Sequence, residues 1–105
     1  MQDWEWVVAD HARIDSFIDL YTSGDLSDDE RFSLMEIIIQ SSEQHPAELA
    51  AQPRWDEINN LLRFNTPLHA ASIHYWSLFD VEPGDDSVWR VTPTMRSIIQ
   101  DNPEI

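Results

Sequence analysis

The chain has no cysteine, no lysine and only two glycines in 105 residues. Without cysteine there are no disulfides, no thiolate zinc sites and no Cys–His catalysis. Without lysine there is no Schiff-base chemistry and no P-loop ammonium. Two isolated glycines, Gly24 and Gly84, cannot build a glycine-rich phosphate loop. Long apolar runs are also missing. The longest purely aliphatic run, Ile37 to Ile39, is far too short to cross a bilayer. The opening stretch MQDWEWVVADHARID is acidic and lacks the basic start and apolar stretch of a signal peptide. These absences lead us to expect a soluble, cytoplasmic protein with no membrane contact and no cofactor.

Acid is what the chain has in excess. Twenty Asp and Glu face six bases, all arginine, for a net charge of -14. Residues 1–30 alone carry nine acids and one arginine, a net of -8. Such a chain repels nucleic acid and anionic membranes and attracts basic proteins. With 42% hydrophobic residues it can also bury a core, and its length suits one domain over residues 1–105.

The apolar spacing predicts an all-α fold: a small bundle of four main helices plus a short C-terminal helix. Val7, His11, Ile14, Ile18 and Tyr21 recur at helical spacing and predict a first helix over 4–22. Gly24, just beyond it, is expected to close it in the left-handed conformation. Ser27 and Glu30 have capping-box spacing and open a second helix running to about 42. Apolar residues cover most of that helix, leaving Ser33, Glu36, Gln40 and Glu43 as a polar strip. A third helix is expected over 53–64, with Trp55, Ile58, Leu61 and Leu62 on one face. Thr66-Pro67 starts a fourth, to about 79, with Leu68, Ala71, Tyr75 and Phe79 on one side and Ile73 and Trp76 on another. After the Pro83-Gly84 turn, VWRV reads as a short extended piece. Thr92-Pro93 then caps and starts a last helix over 93–100, and DNPEI reads as a frayed tail.

Chemistry-bearing patterns are weak. DLSDDERFSLME, from Asp25 to Glu36, partly matches a calcium loop but has Glu30 where the turn glycine belongs. His69 and His74 are five apart and so do not share a helix face. His11 and Asp15 have ligand spacing, but His11 falls on the apolar stripe and reads as a core-edge histidine. His45, before Pro46, reads as a helix-end residue. No G-x-S-x-G or H-E-x-x-H motif occurs, and the sequence leaves open a Ser–His arrangement without a motif, for instance Ser72 with His69. No metal site and no enzymatic activity are expected.

Two acidic clusters and the aromatics remain. Asp25, Asp28, Asp29 and Glu30 form the first cluster; Asp80, Glu82, Asp85 and Asp86 form the second. Capping alone needs one or two of the first four. Five tryptophans are many for this length, and Tyr75, Trp76 and Trp89 are the aromatic anchors that we place in a binding surface. The expected function is an acidic helical protein-binding module with a basic protein as partner. Its most concrete form is an immunity-type inhibitor of a basic bacterial toxin or nuclease. A nucleic-acid mimic, an acidic subunit of a larger complex and a small metal-dependent enzyme are the alternatives.

Overall fold

The computed structural model describes residues 11–77 and 89–105, the side chain of His11 excepted. Outside the described residues lie Trp4, Trp6, the first turns expected from Trp4, Phe79, the Pro83-Gly84 turn and the acids Asp80, Glu82, Asp85 and Asp86. The described chain is helical, with no strand. Its elements are α1 (Ile14–Ser23), α2 (Asp28–Gln44), α3 (Trp55–Phe64), α4 (Thr66–Ser77) and α5 (Thr92–Asp101). Short 3-10 turns occur at His11–Arg13 and Leu49–Ala51.

In α1, Ile14, Phe17, Ile18 and Tyr21 are buried, the spacing of one helical face. At its end the Thr22 and Ser23 hydroxyls donate to the carbonyls of Ile18 and Asp19. Gly24 closes the helix differently from expectation. Its φ is -76° and its ψ 151°, extended backbone, and its N–H donates to Leu20 O at 2.9 Å. Glycine is needed for space: a Cβ here would lie 2.5 Å from the Leu20 carbonyl oxygen.

The capping box that opens α2 forms as the spacing predicts. Glu30 N–H donates to Ser27 Oγ at 3.2 Å, and Ser27 N–H donates to Glu30 Oε1 at 3.0 Å. From Leu34 to Ser42 every residue of α2 is buried. Of the expected polar strip, Glu36 and Gln40 are therefore interior, while Ser33 and Glu43 stay half-buried at its two ends. Glu36 accepts from Ser72 Oγ and, at 3.2 Å, from Trp76 Nε1. Glu43 accepts the backbone N–H groups of Arg90 and Val91 at 3.0 and 3.1 Å, just ahead of α5. Buried Gln40 finds no hydrogen-bond partner among the described residues.

The turn after α2 is tied back by Gln52, whose side-chain amide donates to Ser42 O and Ala47 O. Arg90 donates to His45 O and Ala47 O from the other side. Helix α3 starts at Trp55, two residues later than Pro53 suggested, and buries Trp55, Ile58 and Leu62.

Helix α4 turns a different face inward from the one its carbon content suggests. Thr66, His69, Ser72, Ile73, Trp76 and Ser77 are buried, whereas Ala71 and Tyr75 are exposed. A mixed, hydrogen-bonding stripe goes inside because the groups it needs, Glu36 and Tyr21, are there. Helix α5 buries Met95 and Ile98 against α4. Trp89–Val91 is a turn, with Thr92 N–H donating to Trp89 O, and not an extended piece. Thr92 does not cap its own helix. Its hydroxyl donates to Trp76 O at 2.8 Å, and Arg96 Nε donates to Ser77 O at 2.8 Å. The tail is ordered: Asn102 N–H returns to Ile98 O, and Ile105 packs on the core.

Replacing Gly24 by alanine is expected to cost about 1–3 kcal/mol, the usual range for forcing an atom into occupied space. Urea unfolding of the two proteins measures this. A loss near zero would show that the α1–α2 junction relaxes freely around the added methyl.

Candidate acidic docking surface

Two surface regions bring together residues that sequence alone marks for binding. The first is the junction of α1 and α2. Asp25, Asp28, Asp29 and Glu30 are all exposed there, and none is in a salt bridge among the described residues. The arginines are engaged elsewhere. Arg54 bridges Asp15, Asp19 and Glu57, and Arg63 bridges Asp101. Glu57 and Asp19 push the Arg54 guanidinium above its usual range, so it stays charged. Arg31 is beside the acids in sequence, yet one of its guanidinium nitrogens donates to Leu26 O at 2.8 Å. Glu30 is held below the ordinary carboxylate range by the Ser27 amide and then the Ser27 hydroxyl.

An apolar groove of about 360 Å³ adjoins these acids. Leu20, Leu26, Leu34 and Ile37 line it, with Asp29, Glu30 and Ser33. Leu20 is 50% exposed. It lies off the buried stripe of α1, one turn from Ser16, and spacing arguments pass over it. Its signal is an apolar side chain on an otherwise polar face, next to the acidic junction. Phe64, at the end of α3, is a second overlooked apolar residue and is 91% exposed.

The second region is aromatic. Trp89 stacks on Tyr75 with centroids 5.3 Å apart and meets Trp76 at 4.4 Å, while Tyr75 and Trp76 meet edge to face at 5.4 Å. The three expected anchors are one cluster, but they differ in access. Tyr75 is exposed, Trp89 half-buried and Trp76 fully buried. Trp76 therefore supports the other two from beneath and is removed from the contact surface. The second acidic cluster falls outside the described residues, between Ser77 and Trp89.

The chemical alternatives fare differently. A calcium loop from Asp25 to Glu36 does not form, because residues from Asp28 onward are helix and Glu36 is turned into the core. Ser72 and His69 are both buried but bonded apart: Ser72 to Glu36, and His69 Nε2 to Tyr21 Oη at 2.6 Å. No nucleophile–base contact results. Among the described residues no three of His, Asp and Glu gather as metal ligands. His45 is at the end of α2, as expected, and its Nδ1 accepts from Ala47 N–H at 2.9 Å.

Burial holds the His69 imidazole at about 4, below the ordinary 6.5, and raises the Tyr21 phenol. His69 Nδ1 has no partner among the described residues, which suits a neutral ring, since a protonated one needs two acceptors. The unfolded chain binds this proton more tightly than the folded one. The stability from neutral His69 is thus complete above pH 6.5, is lost as pH falls toward about 4, and changes no further below. The full shift corresponds to roughly 3 kcal/mol. A His69→Gln variant should lose that part of the pH dependence. Urea unfolding of both proteins at pH 7.5, 5.5 and 4 measures the difference, and parallel curves would contradict it.

No protein-family model, curated protein or solved structure matches this chain.

Proposed function

We propose that this protein is a single helical domain that binds a basic protein through its acidic α1–α2 junction. The observation that carries this reading is the set of exposed carboxylates, Asp25, Asp28, Asp29 and Glu30, that the chain's own arginines do not neutralise. Self-repulsion among these acids is relieved when a cationic surface covers them. Their field also steers a basic partner and speeds encounter. The most concrete form is an immunity-type inhibitor of a basic bacterial toxin such as a nuclease. Such a target presents arginine and lysine where it holds phosphate, and an acidic helical protein occupies or flanks that surface. Tyr75 and Trp89 supply a second, aromatic contact region, with Trp76 as their support.

Reversing two charges tests this reading. In an Asp28→Lys/Asp29→Lys variant, association with the basic partner should slow by about ten-fold or more at low salt, in line with the usual gain from steering. The salt dependence of the rate should flatten. Stopped-flow association across an ionic-strength series measures both. Unchanged rate and unchanged salt slope would remove this patch from the contact surface.

A further inference from the structure

We infer that the groove lined by Leu20, Leu26, Leu34 and Ile37 seats a cationic amphipathic helix of the partner, a conclusion that rests on the basic-partner reading above. Three features select this occupant. The rim is acidic: Asp29 and Glu30 border the same groove whose floor is Leu34 and Ile37. Apolar floor and acidic rim match an apolar face flanked by arginine or lysine. Next, the groove lies between helices, and the described residues contain no strand edge. An extended peptide would find no backbone partners there, whereas a helix satisfies its own backbone. Finally, the groove is shallow and open, with Leu20 half exposed, unlike the enclosing clefts that bury most of a small ligand. The acidic rim also disfavours an anionic lipid surface.

The arrangement sets a pattern for the occupant. Along α2, Asp29 and Ile37 are eight residues apart, about 12 Å at 1.5 Å per residue. A docked helix therefore places apolar residues three or four positions apart over Leu20, Leu34 and Ile37. It carries its cations about two turns away, over Asp29 and Glu30. The Ser27 capping box fixes the rim on a formed helix end, so binding costs little ordering of the acids.

The test uses the full chain and three synthetic helical peptides. One has leucine along one face and arginine two turns away. The second has the same composition in shuffled order. The third has glutamine in place of arginine. The first should bind about ten-fold more tightly than either control, the usual scale of a buried apolar anchor or a matched charge set. It should also shift the methyl NMR signals of Leu20, Leu26, Leu34 and Ile37. Leu20→Glu is the discriminating variant. It adds a negative charge at an exposed helical position, so charge alone predicts tighter binding. Groove docking predicts about ten-fold weaker binding. If amphipathic and shuffled peptides bind equally and Leu20→Glu tightens both, the groove is not the seat, while the acidic-surface reading stands. If the glutamine peptide binds as well as the arginine one, the occupant is not cationic. If none binds, both readings fall. Methyl shifts confined to another surface overturn the groove even if Leu20→Glu does not fold.

Discussion

A buried carboxylate organises this protein. Glu36, in the middle of α2, accepts hydrogen bonds from Ser72 and Trp76 of α4. Placing a carboxylate in a protein interior is costly unless donors meet it, and removing one partner leaves the other stranded. That requirement sets the rotation of α4. Ser72 and Trp76, four residues apart, must both face α2. His69 then falls on the same stripe and meets Tyr21 of α1. Tyr75 is turned outward, where it stacks on Trp89. One internal constraint thus fixes the interior of the fold and the orientation of its aromatic surface.

Helix α2 serves three neighbours along its length. Its first turn carries the exposed acids and the capping box with Ser27. Its middle holds α4 through Glu36. Near its end Glu43 takes up the backbone N–H groups of Arg90 and Val91 ahead of α5. Helix α5 returns the support, with Thr92 and Arg96 donating to the last carbonyls of α4. A scaffold tied in this way keeps the α1–α2 junction in place, and its acids Asp25, Asp28, Asp29 and Glu30 form no ion pair among the described residues. Along this one helix the acids face outward at the start, and Glu36 in the middle faces the core.

Among the described residues, the helical character and most helix boundaries were legible in the sequence. The Ser27–Glu30 box formed as its spacing indicates, and Pro67 and Pro93 each fall in the first turn of a helix, although Thr92 turns its hydroxyl to Trp76 O instead of capping. What spacing could not supply was the direction of the polar strips. Ser33, Glu36, Gln40 and Glu43 read only as a polar strip, with no direction, because periodicity ranks carbon content and cannot see a matching strip on another helix. The inward face of α4 was hidden for the same reason. Gly24 was legible as a helix end but not in its cause, since a left-handed turn and a close approach to Leu20 O both call for glycine. The tail was misread because burial of Ile105 depends on distant residues. Of the candidate site, the exposure of Asp25, Asp28, Asp29 and Glu30 was legible, whereas the burial of Trp76 and the place of Leu20 were not. A single leucine on a polar helix face is ordinary until the fold sets it beside Leu26 and Ile37.

On the basic-partner proposal, the exposed acids of the α1–α2 junction meet a cationic protein surface. Solubility alone would also tolerate them. The most direct measurement is affinity capture by the intact protein from the lysate of its native organism. It is run at low and at high salt, with mass spectrometry of what is retained. The account predicts one dominant basic protein, held at low salt and weakened at high salt. Retention of no basic protein, or retention indifferent to salt, would contradict it.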